Sequence, residues 1–156
     1  MNRCQVKSVK KNDTVEFIFS GSIDESLANY LSVFPNVPTI TMNLEEIISI
    51  NSVGIREWIN LMTKLATSKI TLINCPKVFI DQVNMVKGFL PTNTHIESFY
   101  VPYFSETTNT EKKILFTKGK HFTDSSVNPE DTITDNAGNT YEIDVVVNKY
   151  FKFIKA

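Results

Sequence analysis

Apolar and polar positions alternate in blocks along the first two thirds of the chain, and the blocks predict strands and helices in turn. Val15 to Ser20 (VEFIFS) is a β-rich run closed by Gly21. Asp24 or Ser22 is placed to cap a following helix, whose apolar positions Leu27, Ala28, Tyr30, Leu31 and Phe34 keep helical spacing until Pro35 and Pro38 stop it. Thr39 to Leu44 predicts a second strand, running into a short acidic loop at Glu45-Glu46. A strongly amphipathic helix starts at Ser52 and sets Ile55, Trp58, Ile59, Met62 and Leu65 on one stripe, with Arg56, Glu57, Asn60 and Lys64 on the wet side.

Lys69 to Asn74 (KITLIN) is a short, nearly unbroken apolar strand, the pattern of one covered on both faces. Pro76 opens another helix, with Val78, Phe79, Val83, Val86 and Phe89 as its stripe and Gly88 and Pro91 as its stop. Ile96 to Phe104 is a further strand, in which Phe99 and Tyr103 face one side and Tyr100 and Phe104 the other. Such alternation implies an α/β layer with a mixed or parallel sheet.

Beyond residue 104 the texture changes. Ile114-Leu115-Phe116 is a brief apolar burst, two strands flank the turn Asp135 to Asn139, and Tyr141 to Ile154 has the lysine-interleaved look of an exposed edge strand. The expected division is therefore an α/β domain over residues 1–104 and a small β-rich appendage over 105–156, too small to be stable alone.

Composition narrows the function classes. Sixteen basic and seventeen acidic residues give a net charge of −1 with no basic face, which argues against a nucleic-acid grip. Cys4 and Cys75 form no Cys-x-x-Cys pair, so neither a disulfide framework nor a cysteine-rich metal site is expected. Lys7, Lys10, Lys11 and Asp13 interrupt the first 20 residues, and no apolar run approaches the ~20 residues that crossing a bilayer requires, so a soluble, cytoplasmic protein without membrane insertion is expected. His95 and His121 are far apart, each in a loop-like stretch, and Glu45 and Glu46, as neighbours in a loop, should point apart into water. No nucleophile elbow, zinc-protease helix or phosphate-cradling glycine loop occurs, so no catalytic residues, no metal ligands and no cofactor are expected.

Ser52 is the residue on which function turns. A serine immediately before a helix offers its hydroxyl to the unpaired amides of the first turn. The same place welcomes a phosphate, because a helix N-terminus carries partial positive charge. Ser52 is thus read as a cap, or as a cap and a switch.

The order of strand, Gly21-Ser22-Ile23-Asp24, helix, strand TITMNL, Ile50-Asn51-Ser52-Val53-Gly54-Ile55, helix, strand KITLIN, Cys75-Pro76 and helix resembles a STAS domain, the fold of bacterial anti-sigma factor antagonists and of the cytoplasmic tails of anion transporters. The resemblance covers about residues 1 to 104 and implies a STAS-like sheet flanked by helices. It further implies that a partner kinase phosphorylates a serine in the place of Ser52 and so switches binding off, with a kinase or a sigma-factor regulator as protein partner. Asn43 and Asn51 depart from the family, which often carries aspartate at both places. The region Val101 to Asn109 and the turn Thr134 to Asn139 are similar to the two knuckles of a zinc ribbon, with Ser105, Thr108, Thr134 and Ala137 where cysteines would stand, which implies a lost metal site.

Three function classes follow. The first is a non-enzymatic regulatory module that binds a protein partner through Ser22, Asp24, Asn51, Ser52, Gly54 and Arg56, with phosphorylation at Ser52 as the switch. The second is a scaffold or homo-oligomerising subunit in which Ser52 only caps its helix. The third is a nucleotide-binding protein or enzyme, ranked last because no residue set supplies nucleophile, base and oxyanion donors together.

Overall fold

The computed structural model describes residues 3–154 and shows a mixed α/β protein built on two sheets. The first holds β1 (Gln5–Lys11), β2 (Thr14–Ile23), β3 (Thr39–Ile50), β4 (Lys69–Ile73) and β5 (Thr94–Ile96), in that spatial order. β1 runs antiparallel to β2, and the other neighbours are parallel. Parallel neighbours need crossovers. Here a 3-10 helix (Glu25–Val33), helix α1 (Ser52–Lys64) and helix α2 (Lys77–Met85) lie in the three crossovers.

One face of this sheet carries the core. Val15, Phe17 and Phe19 of β2, Ile40, Met42 and Leu44 of β3, and Ile70 and Leu72 of β4 are all buried. The covering elements meet them through aromatic rings: Phe34 lies 4.4 Å from Phe17, and Trp58 lies 6.0 Å from Phe19, 5.1 Å from Phe79 and 5.7 Å from Phe89. The indole of Trp58 donates to the carbonyl of Phe89 at 3.0 Å, so its one polar atom is satisfied inside the core. On the opposite face Ile18, Thr41, Asn43, Thr71 and His95 are half-buried. β4 therefore alternates, buried Ile70 and Leu72 with half-buried Thr71 and Ile73, and is not the doubly covered strand that its apolar run predicts.

The second sheet orders β7 (Thr110–Thr117), β6 (Ser98–Ser105), β9 (Thr140–Ile143) and β8 (Thr132–Thr134), all antiparallel. A short helix α3 (Val147–Tyr150) and a 3-10 turn (Lys152–Ile154) follow. The run Tyr141 to Ile154 is thus not an edge strand: β9 is interior and four residues long, and most of the remainder coils so that Tyr150, Phe151 and Ile154 are buried. Likewise the stretch expected as one strand over Ile96 to Phe104 is divided between the two sheets, with Glu97 alone between β5 and β6. β6 consequently belongs to the second sheet, although the expected boundary at 104 places all but its last residue in the first unit.

The seam is hydrogen-bonded, and the second sheet gathers an aromatic cluster of its own. Cys75 donates its amide to the Ser98 carbonyl at 3.1 Å and accepts the Tyr100 amide at 2.9 Å. Asn84 of α2 donates to the carbonyl of Tyr150 at 2.8 Å and accepts the amide of Phe153 at 3.0 Å. Phe99 gathers Phe122, Phe151 and Phe153 around its ring at 5.1, 6.0 and 5.1 Å.

Candidate functional site

The C-terminal ends of β2 and β3 bring most of the expected site residues together. Ser22 pairs in register with Ser49, and Ile23 with Ile50, so both strands end side by side. The hydroxyls of Ser22 and Ser49 share a hydrogen bond of 2.6 Å. The amide of Asn51 donates to the Ile23 carbonyl at 3.2 Å, which fixes the start of α1 against the end of β2.

The cap of α1 is Asn51 and not Ser52. Asn51 has extended backbone angles, and its side-chain oxygen accepts the amide of Gly54 at 2.7 Å, while its carbonyl accepts the amide of Ile55 at 2.9 Å. Ser52 is the first helical residue. It is exposed, and among the described residues its hydroxyl has no hydrogen-bond partner. Asparagine and serine are comparable caps, so two in a row leave the helix start uncertain by one residue until the backbone is seen.

Gly54 is buried in the joint beneath this surface. A Cβ on it would lie 1.9 Å from the Ile23 carbonyl oxygen, so α1 approaches β2 as closely as only a glycine permits. Arg56 is exposed, four residues beyond Ser52 and therefore on the same side of the helix.

Asp24 caps the 3-10 helix. Its carboxylate accepts the amide of Ser26 at 2.9 Å and the Ser26 hydroxyl, and that hydroxyl oxygen accepts the amide of Cys4 at 2.9 Å. Desolvation pushes the Asp24 carboxyl upward, but hydrogen bonds from Ser26 together with Arg3 and the Cys4 amide outweigh it and hold the group below the usual carboxylate range.

The predicted acidic loop is part of β3. Between Ile18 and Ser20 the partner strand carries one extra residue, and between Gly21 and Ser22 it carries another, Ile48. Bulges bend a strand and re-aim side chains. Here Ile48 turns outward, 59% exposed, next to Ser49. The sequence signal for this stretch was Ile47-Ile48 directly after two glutamates, which no alternating pattern accommodates. Glu45 does not simply point into water, since it accepts the hydroxyl of Tyr100 from β6. His95 lies in β5 rather than a loop, beside the Thr71 hydroxyl at 3.3 Å, and His121 takes the Thr117 amide at 2.9 Å on its Nδ1.

The knuckle-like turns meet at one end of the second sheet, where the Thr110 hydroxyl lies 3.1 Å from that of Tyr141. Asp135 closes the second turn by accepting the amides of Ala137 and Asn139. Among the described residues no group of three or more His, Cys, Asp or Glu could hold a metal ion. Nor is any helix among them long and apolar enough to cross a membrane. A separate groove of about 640 Å³ lies between α2 and the segment after β9, lined by Met85, Val145, Val146 and Tyr150 among others.

No family model and no curated protein matches the chain. Among solved structures it is similar to an anti-sigma factor antagonist from Mycobacterium paratuberculosis, at 12% identity and a TM-score of 0.43, over 53% of this chain and 77% of that one. A likeness of this degree transfers no residue role, and the chemistry of the site rests on this chain's own geometry.

Proposed function

We propose that the chain is a non-enzymatic regulatory module that binds a protein partner through the surface around Ser22, Asp24, Asn51, Ser52 and Arg56, and that phosphorylation of Ser52 by a partner kinase switches this binding. The observation that carries the reading is the freedom of the Ser52 hydroxyl. Asn51 takes the capping duty, so Ser52 is exposed at the first position of α1 with nothing to hold its side chain. A phosphate there meets the positive end of the helix and, one turn on, Arg56. It adds roughly −1.5 to −2 charge without breaking any bond of the fold. A partner whose contact includes the exposed Ile48 would have to desolvate that phosphate, which opposes binding. Gly54 contributes by closing the joint beneath the surface rather than by touching a partner.

The second sheet fits a supporting role. It holds Glu45 of β3 through Tyr100 and braces α2 through the contacts of Asn84.

Affinity capture of the tagged full chain from its own cells, with intact-mass analysis of the captured chain, tests the proposal. The expected result is a retained kinase or sigma-regulatory protein and a fraction of chain carrying phosphate on Ser52. S52D should release that partner while melting within a few degrees of the parent. Unmodified chain in every growth state, or a partner held equally by S52D, overturns the switch.

A further inference from the structure

The outer edge of β1 is a second surface with its own chemistry. β1 ends the first sheet, pairing with β2 on one side only, in unbroken register from Gln5↔Ser20 to Lys11↔Thr14. Of its seven residues only Val6 is even half-buried, and Val9 is 42% exposed. Exposed edges are guarded by being short, bulged, interrupted by proline, covered, or charged, most often with lysine. This one is straight and seven residues long, and its guard is charge alone, Lys7, Lys10 and Lys11.

Lys7, Val9 and Lys11 share one face of the strand and Lys10 lies on the other. Lys11 reaches Glu16 at 3.7 Å, whereas Lys7 and Lys10 enter no ion pair among the described residues. Arg3 stands just ahead of the strand and is exposed. Four cations within nine residues, on a chain of net charge −1, make this the basic margin of a near-neutral protein. Such a margin repels a second copy of itself, since an antiparallel β1–β1 contact would set lysine against lysine. It also repels basic strands. What it admits is a strand of opposite charge, whose backbone completes the unpaired row of amides and carbonyls while its side chains meet the lysines.

We propose that the free edge of β1 binds an acidic, extended segment of a partner protein, which adds as a further strand with the local pattern acidic-x-apolar-x-acidic. The two acidic positions fall opposite Lys7 and Lys11, and the apolar position falls opposite Val9. On the neighbouring strand Lys7 pairs with Ile18 and Val9 with Glu16, so the apolar position also extends a diagonal patch of Val9 and Ile18.

The probe is a labelled peptide, Thr-Glu-Thr-Val-Thr-Glu-Thr, titrated into the full chain and followed by fluorescence anisotropy. It should bind saturably, weaken as salt is raised, and slow amide exchange over residues 5–11. The K7E/K11E variant, altered only at exposed side chains, should keep the parent's circular dichroism and lose about tenfold or more in affinity. A peptide with lysine in place of each glutamate should not bind. A peptide methylated on alternate backbone nitrogens should fail as well, because strand addition needs those donors. Absence of binding, equal affinity in K7E/K11E, or undiminished binding by the methylated peptide overturns the proposal. So does tighter binding of a single-stranded oligonucleotide of equal charge, or self-association that occupies the edge.

Discussion

The side-chain oxygen of Asn51 holds the amide of Gly54 at 2.7 Å, and through that one bond the neighbouring Ser52 is relieved of structural duty. The two residues should therefore respond oppositely to mutation. N51A removes the cap and should cost about 1 kcal/mol in urea unfolding, whereas S52A should stay within about 0.5 kcal/mol of the parent. S52D places a carboxylate at the positive end of α1 and should be neutral or stabilising by a few tenths of a kcal/mol. A larger loss for S52A than for N51A would return the capping role to the serine.

Gly54 allows no side chain. In G54A the new methyl would collide with the Ile23 carbonyl, which is backbone and cannot swing away. Overpacking of this kind typically costs 1–3 kcal/mol or more. The expected signature is a lowered melting temperature together with faster amide exchange at the start of α1, since the helix must lift from β2.

Trp58 is the single tryptophan, wholly buried among Phe19, Phe79 and Phe89. Its fluorescence should be blue-shifted in the folded protein and report unfolding directly. W58F keeps an aromatic ring but leaves the Phe89 carbonyl without its donor, a loss of about 1–3 kcal/mol, and W58A should cost about 3–5 kcal/mol. A red-shifted native spectrum would contradict this core.

Tyr100 links the sheets through Glu45. Its hydroxyl is pushed up to about 12, first by the hydrogen bond to Glu45, then by partial burial and the glutamate's charge. The folded value is raised above the ordinary tyrosine value of about 10, so the contribution is complete below pH ~10 and is lost as pH rises through about 12. Tyrosinate difference spectra of the parent and Y100F should differ by one hydroxyl titrating near pH 12. Y100F should also flatten the stability curve over that interval.

Asp24 carries the complementary acid sensitivity. Its folded value lies below the ordinary one, so its contribution is present above pH ~4 and is lost as pH falls through the lowered value. D24N retains an oxygen for the Ser26 amide but not the charge, and its stability should vary less with pH on the acid side than the parent's.

The helices and inner strands were legible in the sequence because burial on one face imprints a period. α1 is the clearest case: of its expected stripe Trp58, Met62 and Leu65 are buried and Ile55 and Ile59 half-buried, while Leu61, outside that stripe, is buried as well. β1 left no such imprint: a strand exposed on both faces, with Lys7, Lys10 and Lys11 in seven residues, has neither alternation nor an apolar run. The second half of β3 was hidden by its bulges, which break the two-residue repeat and bring Glu45 and Glu46 together on exposed positions. The helix expected after Gly21 forms as a 3-10 helix, with Ser26 and Leu27 as its buried residues. At the site, the residue types were readable but their division of labour was not. Asn51 and Ser52 are interchangeable as caps on paper, and the buried position of Gly54 depends on the approach of β2.

Glu97 is all that separates β5 from β6, and Cys75 is bonded to both Ser98 and Tyr100 across the seam. A seam bonded in this way should couple the unfolding of the two sheets. A chain ended at residue 104 would keep Phe99 and Tyr103 while losing Phe116, Phe122 and Phe151, and would bare an aromatic surface made to be covered. Heated in a calorimeter, the whole protein should absorb its heat in one peak, and the segment that the sequence marks as a small appendage should prove to be part of a single cooperative unit.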